Sequence, residues 1–427
     1  MRLFRVGIEA VGPAPALRDA LDNIDIRRPH PVSIIALGKA AHPMARAAVE
    51  WLARKGIEPA GGVIIAPNSL PSPHESVSVA MGNHPIPGTD SFSAAGRLAE
   101  VVARVPPDAE VWVLLSGGAS SLCASPAGSF TSNELVELYK LLLGSGLDIV
   151  AINAVRKRFS RWGAGRLAAA LQPALIRCYV ISDVVSDDLA AVGSGPCVAD
   201  EHTAADIRRL LETTTLWNRI PPTLRSYLMT VEGDATLETP KPGAPAFRTV
   251  ETTIIANNRK AVDAVAARAR RLGFETKVFS TPLEGNAASA GERIASTVLA
   301  HGRTPACLIW GGETTVALGT LREGAQGGRC QELALSAARK LASQPLPLPE
   351  TVTILAAGTD GRDGPTDAAG AIVNASTWSA IISTGRDPGR DLAAHDSYPA
   401  LKAAGALIHT GNTETNVMDV VIAIRAA

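Results

Sequence analysis

The chain has no excess of either charge. Lys plus Arg and Asp plus Glu are each 41 among 427 residues. That balance excludes a general binder of nucleic acid or of anionic membrane, though it leaves room for a local basic site. Cysteines are few and scattered. Cys123, Cys178, Cys197, Cys307 and Cys330 contain no C-x-x-C pair, and their odd number points to free thiols in a reducing compartment. No window reaches the roughly 18 uninterrupted apolar residues that a membrane span needs. The opening Met1-Arg2-Leu3-Phe4-Arg5 lacks the apolar core and cleavage site of a secretion signal, so a cytoplasmic protein is expected. No strand-like run ends in G-x-G-x-x-G, and no complete G-x-x-x-x-G-K-[ST] occurs. The standard dinucleotide and P-loop fingerprints are therefore missing. There is no fixed-period repeat and no long low-complexity tract.

The composition instead indicates a large folded core. Hydrophobic residues make up 46% of the chain, which argues against disorder, and 427 residues suffice for two or three domains. Short apolar runs alternate with helix-like ones. Strands are expected at Val32 to Leu37, Val63 to Ala66, Val111 to Leu115, Cys178 to Ile181 and Thr253 to Ala256. Further strands are expected at Lys277 to Phe279, Cys307 to Trp310, Val352 to Ala356 and Val420 to Ile424. Such an alternation predicts an α/β protein, two domains with mostly parallel sheets flanked by helices. The segment 235–248 carries three closely spaced prolines and no core pattern, so it reads as a linker. Domains are expected at 1–240, Rossmann-like, and 241–427, with the last strand a candidate to return to the first domain.

Polar clusters follow several of these strands, where open α/β sheets place ligands. They are Lys39, Ser116 to Ser121, Ser182 to Asp188, Gly311 to Thr315 and Gly358 to Asp367. Five such clusters predict a cleft between the two domains. Lys39, in Gly38-Lys39-Ala40-Ala41, resembles half a phosphate loop; it is either a solvated helix-start lysine or a cation for phosphoryl or carboxylate groups. Ser116-Gly117-Gly118-Ala119-Ser120 is either an anion nest or a tight turn, with a serine nucleophile the weaker third reading. Asp183 lies nearest its strand end and is a candidate metal ligand, whereas Asp187 and Asp188 are equally well explained as helix caps. Gly311-Gly312-Glu313 and Gly327-Gly328-Arg329 combine close backbone approach, a carboxylate and an arginine fork. Together they suit a phosphorylated or carboxylated small molecule. The basic run containing Arg156 is a solvated face or a contributor to the cleft. Asp360 sits in a loop rigid enough to face a ligand, and Thr410 and Asn416 line a polar loop. Asn83-His84-Pro85 is a turn whose histidine reads more readily as structural. A triad drawn from His395 and Asp396 has little support, because adjacent side chains diverge.

Taken in order, the motifs resemble one family. They run G-K-A-A (38–41), G-N-H-P-x-P (82–87), S-G-G-A-S-S-L (116–122), I-N-x-V-R-K (152–157), S-D-V (182–184) and S-G-P (194–196). They continue with G-G-E-T-T-V (311–316), G-G-R-x-Q-E-L (327–333), G-T-D-G-x-D-G-P-T-D-A-A-G-A (358–371), H-D-S-Y (395–398) and T-x-T-N-V (413–417). The set is similar to the glycerate 2-kinase family of the MOFRL type, some members of which are labelled hydroxypyruvate reductase. The resemblance covers about Lys39 to Asp419 and places the MOFRL region in the second domain.

The resemblance implies phosphorylation of D-glycerate at its 2-hydroxyl by ATP with Mg²⁺ or another divalent cation, no nucleic-acid or membrane partner, and a homodimer as one assembly. It places the family's proposed active-site lysine and arginine on Lys39 and Arg329, and Asp183 joins them as a catalytic candidate from its place at a strand end. Nucleotide contacts are expected from Ser116, Gly117, Gly118, Ala119, Ser120, Gly311, Gly312 and Asn257. Substrate contacts are expected from Asn83, Arg156, Asp360, Thr410 and Asn416, and metal ligation from Asp183, Glu313 and Asp360. Departures from the family pattern occur at Trp162-Gly163-Ala164-Gly165, at Ser186-Asp187, and at Asn412 and Glu414 in the 410–417 loop. They make a relative of glycerate an alternative acceptor. Two rivals stand beside the kinase: a hydroxypyruvate reductase, and a non-catalytic sensor of a small acid.

Overall fold

The computed structural model describes residues 1–24, 31–302, 305–316, 324–344 and 351–426. The chain opens with two helices, α1 (Arg2–Ala10) and α2 (Pro13–Leu21). It then divides into two compact units, one of residues 13–255 and one joining 1–12 to 256–427.

The unit of residues 13–255 is built on six strands, β1 (Val32–Leu37), β2 (Pro59–Ala66), β3 (Val77–Met81), β4 (Glu110–Leu115), β5 (Leu175–Ile181) and β6 (Val250–Ala256), in the order β3-β2-β1-β4-β5-β6. The pairs β2–β3, β1–β2, β1–β4 and β4–β5 are parallel. β1 and β4 are buried along their whole length, as apolar strands covered on both faces must be. The helices of this unit after α2 are α3 (Ala41–Arg54), α4 (Thr89–Val102), α5 (Ala119–Leu122), α6 (Ser132–Leu143), α7 (Ile149–Phe159), α8 (Arg166–Ala170), α9 (Ala204–Thr213) and α10 (Pro222–Gly233). The chain order reverses between β1 and β4, so the carboxyl ends of these two strands flank the crevice where doubly wound sheets take ligands.

The other unit holds β7 (Glu275–Val278), β8 (Ala306–Gly312), β9 (Thr351–Gly358), β10 (Gly370–Asn374), β11 (Leu407–Ile408) and β12 (Asp419–Ala426), in the order β11-β10-β9-β12-β8-β7. Its main helices are α11 (Asn258–Arg271), α12 (Ala287–Ala300) and α13 (Arg329–Ala342). The α/β class holds, with the parallel pairs concentrated in the first sheet. In this second sheet only β7–β8 is parallel, while β8–β12, β9–β12, β9–β10 and β10–β11 are antiparallel. The reason is β12, the last strand, which slots between β8 and β9 and runs against both. It therefore completes its own sheet rather than returning to the first unit. The element that crosses is α1, whose Phe4 is buried and whose Gly7 lies against Val265 of α11. The division also falls at 255/256, after the proline-rich segment. That segment is held within the first unit: Asp200 N–H donates to the Pro240 carbonyl, and Thr239 and Lys241 bond to Asp200 and His202.

Candidate active site

The first cluster lies at the strand ends of unit 13–255. Leaving β1, the chain reaches Lys39, whose N–H donates to the Gly117 carbonyl at 3.0 Å. Ala40 N–H donates to Ser116 Oγ at 3.0 Å, which ties the turn after β1 to the turn after β4. Gly117 is required there: a Cβ on it would lie 1.7 Å from Asp183 Oδ2. Asp183, after β5, is thus pressed against the Gly117 backbone. Burial raises its pKa, while Lys39 acts in the opposite direction. These three strand ends bring Lys39, Gly117 and Asp183 together.

Arg156, on α7, stacks its guanidinium 4.7 Å from the Tyr139 ring centre. Its Nε and Nη2 are buried and have no hydrogen-bond partner. Burial lowers its pKa, as expected for a cation without a counter-charge. Buried donors without acceptors are costly and rare, and an anion is the ligand that would satisfy them. His84, three residues after β3, is exposed to solvent, with its ring beside the Gly118 turn. Its pKa is pushed down to about 4 by burial first and then by Lys39 and Arg156. His84 Nδ1 is 2.7 Å from Ser121 Oγ. Two cations and a neutral imidazole therefore share one electrostatic neighbourhood.

Other predicted contacts in this unit have partners within the protein. Ser116 is 2% exposed, and its Oγ holds the turn together. Ser120 Oγ is 2.7 Å from Ser194 Oγ. Ala119 begins the short helix α5. Asn83 Nδ2 donates to Asp90 at the start of α4, although its Oδ1 is buried without a partner.

The second cluster lies in the other unit, at the start of α13. Arg329 is not an open fork. Its Nε and Nη2 donate to both Asp419 oxygens at 2.6 and 2.9 Å, and its Nη1 is 2.8 Å from Glu313 Oε1. Burial disfavours its charge, but Asp419 and then Glu313 outweigh burial and raise its pKa. Asp363 accepts the Cys330 and Gln331 N–H groups at the helix start, at 3.1 and 2.8 Å. An internal carboxylate thus occupies the N-terminus of α13. Burial and then Asp419 raise the Asp363 pKa to about 7. His395 Nδ1 meets Glu332 Oε2 at 2.7 Å. The sequence pointed to neither Asp363 nor Asp419. A lone carboxylate heading the apolar strand β12 was the only trace of the latter.

The glycines of the second cluster are explained by packing. A Cβ on Gly311 would lie 1.7 Å from Asn258 Oδ1, and one on Gly312 would lie 2.4 Å from Leu283 N. Asn257 caps α11 by accepting Lys260 N–H. Asp360 Oδ1 accepts Arg362 N–H, Asn416 Oδ1 accepts Met418 N–H, and Thr410 Oγ1 donates to the Gly411 carbonyl. Among the described residues, no group of three or more His, Cys, Asp or Glu side chains could hold a metal ion.

Comparison with known proteins agrees with this architecture over the full length. The family described as a domain of unknown function, DUF4147, matches residues 1–229, and the MOFRL family matches residues 306–419. The glycerate 2-kinase of Pyrococcus horikoshii is 37% identical over 439 residues, spanning 99% of this chain and 96% of that protein. The crystal structure of Thermotoga maritima glycerate kinase superposes with a TM-score of 0.85 at 35% identity, covering 99% of this chain and 97% of that one. An Agrobacterium vitis relative, 35% identical over 98% of this chain and 92% of its own length, carries a provisional hydroxypyruvate reductase label. With both families matched and relatives aligned end to end, the chain belongs to the glycerate 2-kinase family of the MOFRL type.

Proposed function

We propose that the protein transfers the γ-phosphoryl group of ATP to the 2-hydroxyl of D-glycerate, forming 2-phosphoglycerate. The observation that carries this reading is the buried, unpartnered donor set of Arg156, beside Lys39 and a neutral His84. The site combines positive charge with donors lacking acceptors, which suits a small anion such as a hydroxy-acid carboxylate or a phosphoryl group. Phosphoryl transfer depends mostly on positioning and on neutralising oxygen charge. Lys39 and Arg156 would supply that neutralisation, and the Gly117-Gly118 turn would let phosphate oxygens approach the backbone.

A divalent ion such as Mg²⁺ fits this arrangement only in the usual shared manner, because Mg²⁺ commonly takes one or two carboxylates and completes its shell with phosphate oxygens and water. Asp183 is the carboxylate placed to hold it, and the ion would screen phosphate charge when bound. Arg329 is committed to Asp419 and Glu313, so its support for the reaction would come through its remaining N–H groups. The family motifs and the missing nicotinamide fingerprint favour the kinase over a reductase.

The test is a product-resolved assay. Purified protein with ATP, Mg²⁺ and D-glycerate should form ADP and 2-phosphoglycerate, with the phosphate position read by phosphorus–proton NMR. L-Glycerate, tartronate and hydroxypyruvate serve as competing acceptors. NADH oxidation with hydroxypyruvate, without any ATP consumption, would overturn the reading.

A further inference from the structure

His84 carries more information than its place in a turn suggests. Ser121 Oγ has a single proton, and the Gly118 carbonyl at 3.1 Å is an acceptor for it. With its proton there, Ser121 accepts from the other atom it meets, His84 Nδ1 at 2.7 Å. In that arrangement the proton of the neutral imidazole sits on Nδ1, and Nε2 keeps a free lone pair. The same turn sets the ring's position: a Cβ on Gly118 would lie 3.4 Å from His84 Nδ1 and 3.5 Å from Lys39 Cγ. The charged groups acting on the ring come from two other elements, Lys39 after β1 and Arg156 on α7.

We infer that His84 offers its unprotonated Nε2 to the 2-hydroxyl of the acceptor and takes that proton as the phosphoryl group arrives, with Ser121 fixing the tautomer. This inference rests on the kinase reading. In the step, the acceptor O–H bond breaks and its proton goes to Nε2, while an oxygen pair forms the new O–P bond. The bond between the γ-phosphorus and its bridging oxygen breaks, and ADP leaves with that electron pair. The imidazolium then returns its proton to water.

A weak base suits a loose phosphoryl-transfer transition state, in which the acceptor proton is removed late. The surroundings also adjust it. Burial, and then Lys39 and Arg156, hold the empty ring neutral. An anionic substrate lying between those cations offsets their share of the effect. Asp183, the other candidate base, is pressed against Gly117 and faces Lys39.

Two measurements test the inference. His84→Asn keeps an N–H donor for Ser121 but has no acceptor at the Nε2 position. It should lower kcat about a hundredfold or more while the KM for D-glycerate changes little. His84→Gln, whose amide reaches the Nε2 position but cannot take a proton, should recover little of that loss. Ser121→Ala should lower kcat about tenfold by freeing the tautomer. A purely structural histidine predicts His84→Asn close to wild type, and that result overturns the inference. Nitrogen-15 NMR of the wild-type imidazole at neutral pH gives the second, activity-free readout. It should show Nδ1 protonated and Nε2 bare, with the Nε2 signal moving when D-glycerate is added. A protonated Nε2, or a signal unmoved by saturating D-glycerate, also overturns it. Wild-type protein that forms no 2-phosphoglycerate overturns the kinase reading itself, and with it the proton-transfer role. Active wild type with an active His84→Asn overturns the role of His84 alone.

Discussion

The two units each gather arginine, histidine and carboxylate at strand ends, yet they use them in opposite ways. In the unit of residues 13–255, Arg156 has buried donors with nothing to donate to. In the other unit, Arg329 is held by Asp419 and Glu313, and Asp363 occupies the start of α13. The first cluster leaves buried cationic donors unpaired, whereas the charged groups of the second pair with one another. An unsatisfied buried cation lowers stability and is best explained by something that binds it. A satisfied one is best explained by the fold.

The difference predicts that equivalent mutations should fail differently. The largest expected effect is on folding, in Arg329→Ala. Removing the guanidinium leaves Asp419, 4% exposed on its side chain, and the nearby buried Asp363 without their cation. Breaking such a pair from one side costs roughly 3–5 kcal/mol, so urea unfolding should show a lower midpoint. Arg329→Lys should restore little, because an ammonium cannot reproduce the fork. An unfolding midpoint equal to wild type would break the contrast between the clusters.

Lys39→Ala should do the reverse. The side chain is exposed, so the melting temperature should hold. Turnover should fall about a hundredfold, near 3 kcal/mol, the usual cost of losing a preorganised charge at a developing one. A mutant with full turnover would remove Lys39 from the site.

A smaller effect concerns acid. The folded pKa of His84, about 4, lies below its ordinary 6.5. Between those values the unfolded chain binds a proton that the folded chain refuses, so stability falls as pH drops from about 6.5 towards 4. His84→Asn should flatten that limb in melting curves taken across the window, and an unchanged limb would contradict the account. The smallest effect belongs to Glu414, an exposed residue at φ 62°. Glu414→Gly relieves a left-handed conformation that favours glycine, and should change stability by no more than about 1 kcal/mol. A shifted KM for D-glycerate, strongest at low ionic strength, would instead place this carboxylate beside the acceptor.

What could be read from the sequence follows the same division. β1, β4 and β5 were legible because strands buried on both faces are short apolar runs. The polar residues that follow them, Lys39, Gly117 and Asp183, were legible by position. β3 was not, since it is half covered and carries no apolar run. Nor was the antiparallel insertion of β12, because composition does not record strand direction. Arg329 was visible, but its partner Asp419 lies 90 residues away, so its commitment was hidden. Gly311 and Gly312 looked like a ligand cradle, yet the atoms that demand glycine there belong to Asn258 and Leu283. The role proposed for His84 depends on Ser121, 37 residues on, a pairing that the sequence does not display.

The most direct test is the affinity of Arg156→Met for D-glycerate, measured by calorimetry without ATP alongside the unfolding midpoint. The account predicts affinity at least about tenfold weaker, consistent with losing a charge-assisted hydrogen bond. It also predicts a midpoint unchanged or raised, because a buried cation without a partner has been removed. Wild-type affinity, or a sharp loss of stability, would show that Arg156 serves the fold and that the first cluster is as self-contained as the second.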